Sequence, residues 1–166
     1  MRCILFLILL PFFACGQLPE ITDVKVSFLF IDKDVDGTIE AKTVQSQLNL
    51  ADFTKSSITG TAEVNTLDTD NFLRDGHLMW KKYFNEDDYP ILKFESTSIS
   101  KKSANIYAIS TDLTIKGITK SIETEAQIEK NKVSITTIIY TSDWDINISK
   151  KRSENELEIQ IDLYFK

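Results

Sequence analysis

Histidine occurs once in the 166 residues, as His77, and cysteine twice, as Cys3 and Cys15. A zinc centre built from several imidazoles and thiolates is therefore excluded, because such centres take three or four N or S ligands. A Ser–His–Asp arrangement would have to use His77, and no serine stands in a G-x-S-x-G turn. The five glycines, at 16, 37, 60, 76 and 117, are too scattered to form a phosphate loop or a dinucleotide turn. Positive charge is also short. Lys and Arg number 19 against 25 Asp and Glu, for a net charge of -6, whereas nucleic-acid binding needs a basic face. Both cysteines fall in the first fifteen residues, so no disulfide framework supports the fold, which must rest on its own core. The expectation is a protein that is not an enzyme, with no cofactor, no metal and no nucleic-acid partner; carboxylate-only sites for hard cations stay open on these shortages alone.

The N-terminus reads "MRCILFLILLPFFAC", with basic Arg2 followed by an apolar run from Ile4 to Ala14. The run is too short to span a bilayer, Pro11 interrupts it, and it suits the apolar core of a secretory signal. Ala14 before Cys15 looks like a lipobox, with Phe12 where leucine is commoner. The expectation is a signal peptide over 1–15, lipidation of Cys15, and a mature protein in the periplasm. There a lipid anchor would hold it to a membrane surface. Gln17 stands where an aspartate would cue inner-membrane retention, so the outer membrane is the default. A soluble secretion signal cut near Gly16 is the alternative.

Beyond residue 20 the chain alternates with a period of two. Val24, Val26, Phe28 and Phe30 alternate with Lys25 and Ser27; Ile122, Thr124, Ala126 and Ile128 oppose Glu123, Glu125, Gln127 and Glu129. Leu157, Ile159, Ile161, Leu163 and Phe165 oppose Glu156, Glu158, Gln160 and Asp162. Successive strand side chains point to opposite faces, so each segment has one wet face and one dry one. The pattern predicts about eight strands, near 22–31, 36–42, 57–67, 91–100, 104–115, 121–130, 132–142 and 156–165. Short polar turns make neighbours antiparallel, in a barrel or sandwich. Only "TDNFLRDGHLMWKKYFN" breaks the period, and it predicts a short helical segment near 70–84 with Thr69 or Asp70 as N-cap.

"IDKDVDG" places Asp32, Asp34 and Asp36 at alternate positions before Gly37, as an EF-hand loop begins. The twelfth position from Asp32 is Thr43, which is not the required acid, and a strand precedes the run. The segment is expected to be a hairpin in which Asp36-Gly37 supplies the turn.

The central block resembles the YceI-like family of secreted bacterial proteins. The matching residues are Asp68-Thr69, Arg74-Asp75-x-His77-Leu78, Tyr83-Phe84 and Tyr89-Pro90-x-Leu92-x-Phe94-x-Ser96-Thr97. "DLTIKGITKSI" from Asp112 to Ile122 and "DVDGTI" from Asp34 to Ile39 add to it, with "DWDI" from Asp143 to Ile146 a looser match. The resemblance implies, over 22–166, an all-β, lipocalin-like antiparallel barrel of eight strands with a short helical segment at its opening. It also implies an isoprenoid-type lipid inside, carried or sequestered without catalysis. Such a barrel is just wide enough to be filled by side chains or to hold one slender ligand. The candidate lining is Phe28, Phe30, Ala62, Val64, Leu78, Phe84, Leu92, Phe94, Ile122, Ala126, Ile159 and Ile161. Small Gly60, Ala62, Thr124 and Ala126 would make room. Arg74, Asp75, His77, Tyr89 and Pro90 are read as scaffold. The partners expected are an apolar isoprenoid or quinone-like lipid and, through the anchor, a membrane; a homodimer stays open. The competing reading is an envelope lipoprotein whose barrel core is solid and whose role is structural.

Overall fold

The computed structural model describes residues 18–166; the leader, Cys15 and its lipidation lie outside the described residues. Nine antiparallel strands form one sheet: β1 (Ile21–Phe30), β2 (Val35–Ile39), β3 (Ala41–Val44), β4 (Thr59–Glu63), β5 (Ile91–Lys101), β6 (Ile106–Ile115), β7 (Ile118–Ile128), β8 (Lys132–Tyr140) and β9 (Glu156–Phe165). Their order is β2-β1-β9-β8-β7-β6-β5-β4-β3, and the two ends of the sheet are consecutive in the chain. The sheet therefore curls into a nearly closed barrel, as the alternation and the family resemblance lead one to expect.

The ninth strand has a simple origin. The single strand expected over 36–42 is broken at Glu40. Its first half pairs with β1, from Val26↔Ile39 to Phe30↔Val35, and its second half pairs with β4. One residue thus joins the two edges of the sheet. The corner is fastened by the chain after β4: Thr38 N–H donates to Asp68 O at 2.9 Å, Asp68 N–H returns to Thr38 O at 3.0 Å, and Glu40 N–H donates to Thr66 Oγ1 at 2.9 Å.

Gly37 does not make a turn. The β1–β2 connection is a 3-10 turn over Ile31–Lys33 closed by Asp34 in the left-handed region, at φ 49°. Gly37 lies within β2 opposite Phe28, and a Cβ there would stand 2.5 Å from Asp68 O and 2.5 Å from Phe28 Cζ. It is glycine because another backbone crosses close by. Two-residue turn chemistry appears instead at Lys116-Gly117 (φ 51° and 73°), which joins β6 to β7.

The helical segment is α1 (Phe72–Leu78). Its N-cap is Asn71, whose side chain accepts from Arg74 N–H, in place of the expected Thr69 or Asp70. The β8–β9 connection is long and folds back under the control of Asn155, which is fully buried. Its Oδ1 accepts from the N–H groups of Ile148 and Ser149, and its Nδ2 donates to the carbonyls of Ser149 and Lys151. The same loop carries a bidentate pair, with Arg152 Nε and Nη2 at 2.9 and 2.7 Å from the Asp143 carboxylate, and the Arg152 guanidinium over the Tyr140 ring at 3.7 Å.

The interior falls into two clusters. One, under the 45–56 loop, contains Leu48, Phe53, Ile58, Tyr107, Ile109, Ala126, Val133, Ile135, Leu163 and Phe165. Phe53 packs on Tyr107 with ring centroids 4.9 Å apart. The other contains Phe30, Ile39, Val64, Leu67, Phe84, Leu113, Ile115, Ile139, Trp144, Ile146 and Leu157, with Leu78, Met79 and Tyr83 of the helical segment packed on it.

Two predictions follow from these contacts. Gly37→Ala is expected to cost about 1–3 kcal/mol by overpacking, read as a lower denaturation midpoint with an unchanged slope. The Arg152 hydrogen bonds hold the Asp143 carboxyl below its ordinary value. A depressed carboxyl stabilises the fold above its unfolded pKa and loses that contribution as pH falls through the folded value. Asp143→Asn should thus cost about 0.5–1 kcal/mol at pH 7, and its stability should converge with that of the parent as the medium is acidified below about pH 4.

Candidate functional site

A hollow lies mainly on the α1 side of the barrel and reaches Ser46, Ile58, Ile135 and Leu163 beside the cluster under the 45–56 loop. The hollow is a cavity of about 360 Å³. β1 contributes Val24, Val26, Phe28 and Phe30; β4 contributes Gly60 and Ala62; β5 contributes Leu92 and Phe94; β9 contributes Leu157, Ile159, Ile161 and Leu163. These positions alternate along each strand, so the dry face is the inward one, as the pleat requires. Gly60, Ala62 and Thr124 all border the space and leave room that larger side chains would fill.

Of the candidate lining, Phe28, Phe30, Ala62, Leu78, Phe84, Leu92, Phe94, Ile122, Ile159 and Ile161 border the cavity. Val64 and Ala126 do not. Val64 starts a 3-10 turn where the strand alternation has ended, and it is fully buried in the core cluster beside the cavity. Ala126 is fully buried in the cluster under the 45–56 loop, paired with Tyr107 and Ile135, and of these three only Ile135 reaches the cavity.

The motif residues divide. Arg74 and His77 border the cavity from α1, one turn apart. Arg74 Nε donates to Thr69 Oγ1 at 2.7 Å and its Nη2 to the Thr69 carbonyl. Asp75 points away from the cavity and accepts from both Thr69 N–H, at 3.1 Å, and Thr69 Oγ1. Buried Thr69 is thus gripped from both sides, and α1 is tied across the mouth by hydrogen bonds. Tyr89 lies over Gly117 at the β6–β7 turn, and Pro90 is exposed, its carbonyl accepting from Val64 N–H at 2.9 Å. Lys116 Nζ donates to the carbonyls of Lys82 at 3.4 Å and Asp145 at 3.1 Å, bridging the helical segment to the β8–β9 loop.

Trp144 is the main lining residue that the alternation does not supply. It is 1% exposed, borders the cavity, and donates from Nε1 to Leu113 O at 3.3 Å. Ile146 and Ile148 follow it into the wall. The signal available was the loosely matched "DWDI", an apolar pair inside a polar break between strands. Asp32 and Asp34 are exposed at the turn and Asp36 on β2, and no group of three or more His, Cys, Asp or Glu among the described residues is arranged to hold a metal. No described helix is long and apolar enough to cross a membrane.

Comparison with known proteins agrees with this geometry. A UPF0312 protein of Photorhabdus laumondii is 34% identical over 99 residues, 58% of this chain and 46% of that one. Protein YceI of Shigella flexneri is 34% identical over 96 residues, with the same two shares. The matched stretch therefore spans less than half the length of these curated relatives. Among solved structures, BcnA of Burkholderia cenocepacia superposes with a TM-score of 0.75 at 20% identity, covering 84% of this chain and 94% of that one. A polyisoprenoid-binding domain from Saccharophagus degradans, implicated in plant cell wall breakdown, superposes with a TM-score of 0.57 at 11% identity, covering 90% and 97%. Identities this low speak for the fold alone. The YceI-like domain model, however, matches residues 19–165, and the chain belongs to that family.

Proposed function

We propose that the protein binds an apolar isoprenoid-type lipid, or a quinone bearing such a tail, in the cavity of its barrel. It carries or sequesters that lipid in the bacterial envelope and catalyses no reaction. One observation carries the reading: a cavity of about 360 Å³ walled chiefly by Val, Ile, Leu, Phe and Trp side chains, with Lys33, Arg74, His77 and Lys93 as its basic border residues and no Asp or Glu among the lining. That volume lies within the range of small-molecule sites. An isoprenoid tail offers only apolar surface, and burying it is worth roughly 25 cal/mol per Å², less the cost of ordering the chain. The Saccharophagus degradans domain of the same fold is described as polyisoprenoid-binding, which supports the same ligand class here. The leader and Cys15 support placing the protein in the periplasm, anchored at the outer membrane, with the cavity facing lipid-rich surroundings.

A second reading, a structural barrel without cargo, draws on the cluster under the 45–56 loop, where Phe53 packs on Tyr107. The two are separated by filling the cavity. Ala62 borders it and pairs with Leu92. Ala62→Phe is expected to lower affinity for a short-chain quinone at least about ten-fold while the melting temperature holds or rises, since new apolar contacts replace empty space. Quenching of buried Trp144 by the quinone reads the binding, and organic extraction with mass spectrometry of the parent reads the natural cargo. If neither a co-purified nor an added lipid is ever retained, the carrier reading is lost.

A further inference from the structure

α1 carries both cavity-lining and exposed apolar residues. Arg74, His77 and Leu78 border the cavity, Phe72 and Leu73 do not, and Trp80 follows just past the C-cap Met79. The outer residues are largely bare: Phe72 is 82% exposed, Leu73 62%, and Trp80 60% even with its ring packed edge-on against His77 at 4.5 Å between centroids. Gly76 between them has open space where a side chain would stand. Ile31, from a second rim turn whose Lys33 also borders the cavity, is exposed as well. These are the largest departures from burial among the described apolar side chains, apart from Ile138 on the β8 face and Leu18 and Leu50. Exposed apolar patches of this kind mark interaction surfaces.

We propose that this outer face of α1, with Trp80, seats the cavity mouth on a lipid bilayer. The inference rests on the lipid-binding reading. A cargo that resides in a membrane must cross from bilayer to barrel, and the helix roofing the cavity is the one that bares Phe72 and Leu73. The chemistry of the patch fits the bilayer interface. Tryptophan settles at the headgroup level, phenylalanine and leucine enter the acyl boundary, and cations meet the phosphates. Lys81 and Lys82 adjoin Trp80, and among the described residues neither is in an ion pair. Asp70 and the Glu86-Asp87-Asp88 run flank the patch on either side along the chain, so the attraction is local and the apolar insertion dominates.

The test uses the full chain with vesicles of phosphatidylethanolamine and phosphatidylglycerol whose acyl chains carry bromine, a short-range quencher of indole. Trp80 is the exposed one of the two tryptophans. Its emission is expected to shift to the blue and to be quenched. Phe72→Ser/Leu73→Ser should weaken that quenching response at least about ten-fold without changing the melting temperature, because both side chains are exposed in the fold. Trp80→Phe should abolish it. Quenching that survives Trp80→Phe comes from Trp144 within the cavity and overturns docking through this face. So does an unshifted Trp80, or a double variant that responds like the parent. If the double variant instead dissociates a dimer in lipid-free solution, a second copy covers the patch and the bilayer does not. Quinone quenching of Trp144 in the parent and both variants tests the lipid-binding reading separately: docking can fail while it stands, and it can fail while Trp80 still inserts.

Discussion

A sheet of consecutive antiparallel strands ends in two free edges, each a row of unpaired backbone groups. Here both edges are carried by one continuous stretch, Val35–Val44, bent at Glu40 so that one half completes the ladder on β1 and the other the ladder on β4. Everything else about the molecule depends on that corner. Closure defines an inside, and the inside sorts each alternating strand into a wet and a dry face. It also fixes Gly37, since the fastening strand at Asp68 passes too close for any side chain.

Whether the inside is filled depends on what the loops bring to it. At one end the 45–56 connection delivers Leu48 and Phe53, both essentially inaccessible, onto Tyr107 and Ile109. Toward α1 the β8–β9 loop sets Trp144, Ile146 and Ile148 into the wall, and the wall is thinned by Gly60, Ala62 and Thr124. The barrel thus combines two packed clusters with a space between the walls, and the clusters supply the stability that the space does not. An apolar void costs on the order of 24 cal/mol per Å³ in mutated cores, so leaving a space of this size empty costs several kcal/mol, which a bound tail would offset.

How much of this the sequence discloses varies with the range of the interaction. Strands were legible from the period of two because each β-residue reports its own face. The break at Glu40 was not, because Val35, Gly37, Ile39 and Ala41 keep alternating through the corner. Lining residues on regular strands were legible for the same reason, and Val64 and Ala126 show where that logic stops. Val64 lies just past the end of its strand, and Ala126 faces inward at a depth that only Tyr107 and Ile135 could reveal. Asn155 looked like any loop asparagine. Its four hydrogen bonds to a loop that it organises itself became visible only once Trp144 had been turned into the wall. The family resemblance supplied what alternation could not, a closed barrel in place of a sandwich.

The helix over the cavity poses a packing problem of its own. Seven residues are too few to be stable alone, and short helices in proteins persist by burying a face against a core. α1 itself packs only Leu78 on the core, with Met79, Tyr83 and Phe84 following just after it. Polar contacts add to this: the Asn71 cap, the grip of Arg74 and Asp75 on Thr69, and the Lys116 bridge to the Lys82 carbonyl. Hydrogen bonds of this type contribute only about 0.5–1.5 kcal/mol each because water can replace either partner. The two clusters, by contrast, are held by side chains that water cannot replace. The fold therefore places exchangeable polar contacts on α1 at the mouth of the cavity and water-excluding ones in the two clusters behind it, a distribution that fits the proposed entry of a ligand without unfolding.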